Sequence, residues 1–158
     1  MKKLLLLAGL YCLQPTLHAA SFTSSVKHDK VPISGTDRAQ ANFKENYAWV
    51  ENATWTNMPD QTIYCVFQQG KIANRVFYDK RGYWQFTLIS YQPSVLAKKV
   101  KDQVLDNFHG YKITYVNEIR SNSDVPVYMI NIEDGNNIKV IRVIGDEIEV
   151  TQDIIKVI

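Results

Sequence analysis

The side chains that could carry acid–base, nucleophilic or metal chemistry are few in this sequence, and their spacing matches no common catalytic motif. Outside the first twenty residues the histidines are His28 and His109. His28 lies in a stretch without periodicity and His109 at the end of a predicted helix, so neither is well placed for a Ser-His-Asp triad. Metalloprotease, disulfide-exchange, serine-hydrolase, phosphate-loop and dinucleotide motifs do not occur in the sequence.

Adjacent carboxylates are the remaining candidates for general acid–base catalysis. Glu133-Asp134 and Asp146-Glu147 each lie beside a glycine. Acidic residues are common in hairpin turns, because their side chains accept hydrogen bonds from nearby backbone N–H groups. A calcium site over 133–137 lacks the ligand spacing of a known loop. We therefore predict no enzymatic activity, no metal and no cofactor, with a weak hydrolase that uses these turn carboxylates as an alternative.

The N-terminal segment has the features of a secretory signal peptide. Two lysines precede an apolar run over 4–13, which is followed by a polar, small-residue end. Cleavage is expected near Ala19 or Ala20 and would give a periplasmic or secreted protein. A lipoprotein anchored at Cys12 is the alternative, but Tyr11 is bulky at a position where lipidation favours a small residue.

Charge and cysteine content restrict the partners of the exported chain. The sequence has 18 Lys and Arg residues against 16 Asp and Glu residues, and the signal peptide holds two of the lysines. The remainder is close to neutral, which gives no electrostatic reason to expect binding to nucleic acid or stable association with a membrane. Cys65 would be its lone cysteine, so no internal disulfide can form, and its apolar surroundings predict a buried thiol.

Hydrophobic periodicity predicts a helix followed by four strands, and then the same order again. Ala39, Phe43 and Tyr47 recur at four-residue spacing in a first helix within 36–50, capped by Thr36 or Asp37. A second helix begins at Ser94 as N-cap, ends near Gly110, and has an apolar stripe of Leu96, Val100, Val104 and Phe108. Period-two patterns predict strands near 52–57, 62–69, 71–78, 83–91, 111–119, 125–133, 137–144 and 147–153.

This order predicts an α+β fold. We divide the chain into a signal peptide (1–20), a flexible lead-in (21–35) and a single domain (36–158) built as a tandem repeat of two halves, 36–91 and 92–158. The strands are expected to form one eight-stranded antiparallel sheet or two four-stranded ones. Both helices are expected to pack on one face, which leaves the other face in water.

The hairpin around 79–82 decides which aromatic side chains are predicted to reach solvent. A three-residue loop with Gly82 in a left-handed conformation places five large side chains on the core face, namely Val76, Tyr78, Trp84, Phe86 and Leu88. The opposite face would carry Ala73, Arg75, Phe77, Tyr83, Gln85, Thr87, Ile89 and Tyr91. Such an aromatic face serves either cross-strand packing or protein binding, and the sequence leaves both open.

Two further positions bear on the sidedness of the sheet. Trp55 lies in the first predicted strand, and core is the expected place for a strand tryptophan. Arg142 and Glu149 are predicted to face each other in the last hairpin as an ordinary exposed ion pair. The second half therefore presents no comparable aromatic patch.

A series of segments, taken in their order along the chain, resembles the PepSY-like, β-lactamase-inhibitor-like domains exported by Bacteroidota. The resemblance covers about residues 30–152, and Gln92 departs from it by standing before Pro93 where the family usually has a leucine. The segments are Pro32, Phe43, ENATW, VFYDKRGYW, YQPSVLAKKV, YKITYVNEI and VYMINI.

The resemblance implies a helix-plus-sheet fold outside the cytoplasm and a non-catalytic binding role, such as inhibition of an envelope peptidase or a cell-wall enzyme. The partner would be another envelope or secreted protein. A structural protein that self-associates through a sheet edge is the alternative. Inhibitor relatives bind through a sheet face and its loops, which by analogy corresponds here to Arg75, Phe77, Tyr83, Gln85 and Tyr91.

Overall fold

The computed structural model describes residues 33–157, so the predicted signal peptide and nearly all of the predicted lead-in lie outside the described residues. Two helices and eight strands follow one another in the predicted order. They are α1 (Gly35–Asn46), β1 (Thr54–Asn57), β2 (Ile63–Gln69), β3 (Ile72–Tyr78), β4 (Trp84–Tyr91), α2 (Lys98–Asn107), β5 (Lys112–Ser121), β6 (Val127–Glu133), β7 (Asn137–Ile144) and β8 (Glu147–Ile155).

The first helix carries the predicted apolar stripe but begins earlier than predicted. Its N-cap is Ser34, whose Oγ accepts a hydrogen bond from the Asp37 backbone N–H at 3.1 Å. The Ser34 hydroxyl also donates to the Asp37 carboxylate at 2.7 Å. Ser34 thus satisfies one free backbone N–H of the first turn, and the Asp37 carboxylate holds its hydroxyl in place. The prediction of Thr36 or Asp37 as the cap was therefore wrong.

The second helix begins later than predicted, at Lys98, with no side-chain cap at Ala97. Ser94 is not the N-cap, because the chain around Pro93 makes a tight turn. The backbone N–H of Val95 donates to the Gln92 carbonyl at 3.0 Å in that turn. The apolar stripe is confirmed, since Val104 is fully buried and Val100 and Phe108 pack beside it.

All eight strands form a single antiparallel sheet in sequential order, which decides between the one-sheet and two-sheet alternatives. The two groups of four strands are joined by direct pairing of β4 with β5, from Phe86↔Ser121 to Tyr91↔Val116. The α+β class is confirmed. The similarity of the two halves as structural repeats stays a prediction.

Both helices pack on the same side of this sheet, here called the helix face. Under α1 the core is rich in rings and under α2 it is aliphatic. The first cluster contains Ala39, Phe43, Ile63, Cys65, Phe67, Val76 and Tyr78. The second contains Tyr91, Leu96, Val104, Val116, Ile130, Ile132, Ile141 and Val143. Trp55 packs against the first cluster, so the prediction that it belongs to the core is confirmed.

A β-bulge in β4 changes the predicted sidedness of this strand. Gly82 has the predicted left-handed conformation, with φ +82°, and Trp84 pairs with Tyr78 on the helix face. The next pair is Phe77↔Phe86, so Gln85 is an extra residue. An extra residue inverts the alternation of every side chain beyond it. The prediction was right for Trp84 and wrong for the remainder of β4: Phe86 and Leu88 leave the core face, and Thr87, Ile89 and Tyr91 join it.

Candidate functional site

The face of the sheet opposite the helices, here called the open face, carries a stack of three aromatic rings. Tyr64 of β2 stacks on Phe77 of β3 with ring centroids 5.5 Å apart. Phe77 stacks in turn on Phe86 of β4 at 4.5 Å. We call these three side chains the aromatic ladder. Each is half-buried by its neighbours alone, since no described helix covers this face.

A row of mostly aliphatic side chains runs beside the aromatic ladder. Direct cross-strand pairing links one residue from each strand between β2 and β7. Arg75 is the exposed, charged member of this row, and the others are half-buried. Cross-strand packing of this kind stabilises the sheet. The row consists of Val66, Arg75, Leu88, Ile119, Val127 and Ile144.

The open face becomes polar toward the C-terminal strands. Arg142 and Glu149 pair directly across β7 and β8 and form the predicted ion pair, with both side chains about half exposed. Between the two halves, the Ser90 hydroxyl donates to Asn117 Oδ1 at 2.7 Å. The stacked rings of the open face are therefore confined to the side that contains the aromatic ladder, while the aliphatic row continues to β7.

The structure brings two of the five predicted binding residues together. Arg75 and Phe77 alternate along β3 and both project from the open face, where Arg75 pairs with Leu88 and Phe77 with Phe86. Gln85 is exposed at the bulge.

Tyr83 is 51% exposed, but it lies at the hairpin turn beside α1. The Arg38 guanidinium lies over its ring at 4.8 Å and that of Arg81 at 5.4 Å. Its backbone N–H donates to Asp79 Oδ1 at 2.9 Å, and this bond lowers the pKa of the Asp79 carboxyl. Tyr83 therefore belongs to the turn that holds the hairpin against α1.

The placement of Tyr91 on an exposed face was wrong. It is 4% exposed on the helix face, and its hydroxyl donates to Glu118 Oε2 at 2.7 Å. Burial, followed by this hydrogen bond, raises the pKa of Tyr91. The other carboxylate oxygen of Glu118 accepts from Arg120 Nε at 2.6 Å. The inversion of β4 at Gln85 places Tyr91 above this buried carboxylate.

Sequence reasoning missed Tyr64 and Phe86, which complete the aromatic ladder. Phe86 was assigned to the core because uninterrupted alternation from Trp84 would place both on one face. The signal for the bulge was weak, since Ile89 and Tyr91 make the second face of β4 as apolar as the first. A strand with apolar residues on both faces does not specify its own register.

The buried cysteine and the turn carboxylate of Asp134 both have structural surroundings. Burial raises the pKa of the Cys65 thiol to about 12, so it stays protonated at neutral pH. Asp134 Oδ1 accepts from the backbone N–H groups of Asn136 at 2.7 Å and Asn137 at 2.6 Å, and these bonds lower its pKa. Among residues 33–157 there is no cluster of three or more potential metal ligands. Within the same range no helix is long and apolar enough to cross a bilayer.

Comparison with known proteins gives similarity at the level of the fold. No protein-family model matches the chain, and no curated protein matches it. A solved DUF2874 family protein from Bacteroides ovatus has a TM-score of 0.61 and 14% identity, over 75% of this chain and 85% of that one. A BLIP-like protein from Bacteroides fragilis has a TM-score of 0.60 and 12% identity, over 75% and 84% of the two chains.

A third solved structure, provisionally described as a periplasmic protein from Bacteroides eggerthii, has a TM-score of 0.59 and 14% identity. It matches 75% of this chain and 87% of that one. The BLIP-like fold expected from the sequence is therefore confirmed.

Proposed function

We propose that this chain is an exported, non-catalytic module that binds another envelope or secreted protein through the open face of its sheet. The observation that carries the proposal is the aromatic ladder with Arg75 beside it, on a sheet face that no described helix covers. Aromatic residues and arginine are enriched where proteins bind each other. The fold similarity to BLIP-like and provisionally periplasmic proteins supports the location and the binding role.

The size of the open face suits a protein partner. Eight strands spaced about 4.8 Å apart, each of about seven residues, give a face of roughly 800 Å². One partner contributes about 800 Å² to a protein–protein interface of standard size. The expected partner surface is apolar where it meets the aromatic ladder and carries a carboxylate opposite Arg75. An envelope peptidase or cell-wall enzyme that is inhibited or modulated by the contact is the partner class we propose.

Site-specific photo-crosslinking tests this proposal. A photoreactive amino acid at Arg75 should crosslink one protein in the native envelope, whereas the same group at Lys44, exposed on α1, should not. With that protein purified, Arg75→Glu should weaken binding at least about tenfold, equal to about 1.4 kcal/mol. Lys44→Glu makes the same charge change on the helix face and should leave affinity unchanged. Crosslinking from Lys44 alone would contradict the proposal.

An inhibitory role has its own readout. If the crosslinked partner is a hydrolase, one equivalent of this chain should lower its kcat/KM, and the Arg75→Glu variant should not. If the partner is fully bound and its activity is unchanged, the chain is a binding module that does not inhibit. Hydrolysis of peptide or glycan substrates by the chain alone would overturn its non-catalytic assignment.

Self-association through the β8 edge is the second candidate function. β8 pairs only with β7 among the described strands, and Val150, Ile154 and Ile155 are exposed along it. An unpaired edge with apolar side chains is a template for strand addition. Sedimentation equilibrium should then show oligomers that Ile154→Lys dissolves. A monomer at the highest soluble concentration would remove this candidate.

A further inference from the structure

A groove of about 860 Å³ lies on the helix face, where the two helices leave the middle of the sheet uncovered. Strands β2 to β6 line it, together with the segment that follows α1 on one side and the turn before α2 and the β5–β6 loop on the other. This volume lies in the range of about 300–1,000 Å³ that is typical of small-molecule sites. The groove is separate from the open face and plays no part in the function proposed above.

The floor of the groove offers buried polar groups but no unpaired charge. Both oxygens of the Glu118 carboxylate are occupied, one by the Tyr91 hydroxyl and the other by Arg120 Nε. The Glu118 side chain is 8% exposed, and its charge is balanced by Arg120. Asp124, in the β5–β6 loop, adds an exposed carboxylate at the rim that can accept hydrogen bonds from ligand hydroxyls. The floor itself gives a charged ligand no free counter-ion, so it suits an uncharged one.

One polar group on the floor lacks a partner. Asn74 lines the groove and is 6% exposed, and its Nδ2 has no hydrogen-bond partner among the described residues. A buried amide N–H without an acceptor is costly, and such groups are normally satisfied. Arg120, which uses its Nε toward Glu118, has further guanidinium N–H groups beside the floor. Asn74 Nδ2 has almost no exposed area of its own, so it reaches a ligand once the side-chain amide turns about its Cβ–Cγ bond, whereas the Arg120 side chain is exposed. Both call for hydroxyl or carbonyl acceptors.

Aromatic rings line the groove above these donors. Trp49 is 55% exposed and lies perpendicular to Phe67, at 5.6 Å between centroids and 81° between planes, so about half of its surface is free for a ligand. Trp84 lies deeper, where its Nε1 donates to Thr87 Oγ1 at 3.0 Å. The negative face of an indole attracts the slightly positive C–H hydrogens of a saturated ring.

From these contacts we propose that the groove binds a short, uncharged saccharide, with a sugar ring against Trp49 and hydroxyl groups accepting from Asn74 and Arg120. A pyranose ring combines an apolar C–H face with a rim of hydroxyls that both donate and accept. That combination matches the aromatic walls, the unpaired Asn74 amide, the Arg120 N–H groups and the neutralised carboxylate of this groove. The volume is ample for a ligand the size of a disaccharide.

The test is titration of the full chain with cellobiose, maltose and N,N′-diacetylchitobiose at millimolar concentration, followed by tryptophan fluorescence and ¹H–¹⁵N spectra. At least one disaccharide should shift the Asn74 side-chain amide and the Trp49 indole signals. Trp49→Ala should weaken that binding at least tenfold. Tyr83→Ala removes a ring of similar exposure outside the groove and should leave affinity within twofold.

A second variant separates ligand binding from folding. Asn74→Leu replaces an unpartnered buried amide by an apolar group of the same shape, so the melting temperature should hold while saccharide affinity falls at least tenfold. Unchanged affinity in this variant would overturn the proposal. Binding of choline chloride in place of all three sugars would also overturn it, since that result assigns the groove to cations. Arg75→Glu should leave sugar binding intact, so this inference and the proposed protein docking can fail independently.

Discussion

Each half of the domain consists of a helix followed by four strands, but the helix packs on the sheet through different kinds of side chain in the two halves. Under α1, Phe43 contacts the rings of Tyr47, Trp55 and Phe67 at centroid distances of 4.9 to 5.6 Å. Under α2 the buried side chains are valine, isoleucine and leucine apart from Tyr91. Their open faces differ in the same sense, with an aromatic ladder in the first half and the Arg142–Glu149 pair in the second.

This contrast shows that one element order can support two kinds of surface. β-branched residues fill the second half efficiently because they suit the pleated, half-buried positions of a sheet. Rings in the first half bury more area per residue and leave polar edges that need partners, such as the Trp84 indole N–H. We infer that the second half mainly extends the sheet, and that the aromatic contacts of the proposed binding surfaces lie in the first half and at the junction.

Truncation of one core side chain in each half should have the largest effect on stability. We expect Phe43→Ala to cost about 3–5 kcal/mol and Ile141→Ala about 2–5 kcal/mol of unfolding free energy. Because β4 and β5 pair directly, both variants should unfold in one transition. Urea unfolding should be followed by tryptophan fluorescence, which reports the first half because Trp49, Trp55 and Trp84 all lie there, and by far-UV circular dichroism, which reports both halves. The two transitions should coincide. Separate midpoints would show that the halves unfold independently.

Replacement of one turn glycine in each half should have a smaller effect on stability, and the effect should differ between the halves. A Cβ on Gly82 would lie 2.1 Å from the Gly35 carbonyl oxygen, because the β3–β4 turn contacts the start of α1. A Cβ on Gly145, in the β7–β8 turn, would meet nothing within 4 Å. Both glycines have positive φ, which costs about 1–2 kcal/mol for another residue.

Gly145→Ala should therefore cost about 1–2 kcal/mol. Gly82→Ala should cost about 1–3 kcal/mol more, because overpacking against backbone adds to the same conformational strain. Melting temperatures of the two variants measure the difference. Equal losses would mean that α1 does not rest firmly on the hairpin.

The smallest expected effect concerns pH, at one turn aspartate in each half. Backbone N–H bonds lower the pKa of Asp79 and Asp134 below their ordinary value of 3.8. A carboxyl whose pKa is lower in the folded state stabilises the fold above its unfolded pKa, and that contribution is lost as the pH falls through the folded pKa. The melting temperature should thus decline below about pH 4.

Asn at these positions keeps a side-chain oxygen for the turn and removes the titration. Asp79→Asn and Asp134→Asn should each reduce the acid decline of the melting temperature by a similar small amount. A decline unchanged by both substitutions would place the acid sensitivity elsewhere. A larger change for Asp79→Asn would show that Arg81, 3.5 Å from its carboxylate, adds to the effect in the first half.

The sequence predicted which segments form strands and helices because those signals are local. Period-two alternation located all eight strands to within a few residues, and Gly82 adopted the left-handed conformation that its turn requires. Helix starts were less predictable. Ser34 and Ser94 are both of a residue type that caps helices. A helix begins directly after Ser34, whereas Ser94 lies in the tight turn that follows Gln92.

The predicted binding residues show that local sequence patterns do not always determine which face of the sheet a side chain occupies. Arg75 and Phe77 lie on the open face because β3 alternates without interruption. Tyr91 does not, because the bulge at Gln85 inverts β4, and its partner Glu118 lies 27 residues away in the sequence. The groove between the helices had no signal in the sequence, since its lining comes from segments distant along the chain.

By itself, the sequence determined the order and the approximate bounds of the elements, the conformation of the hairpin turn and the exposed ion pair in the last hairpin. All of these depend on side-chain period and backbone preference over a few residues. Only the tertiary structure decided which rings share the open face, which tyrosine is buried, and what lies between the helices. A single extra residue in one strand reverses its faces, and whether that residue is accommodated depends on pairing with the neighbouring strands.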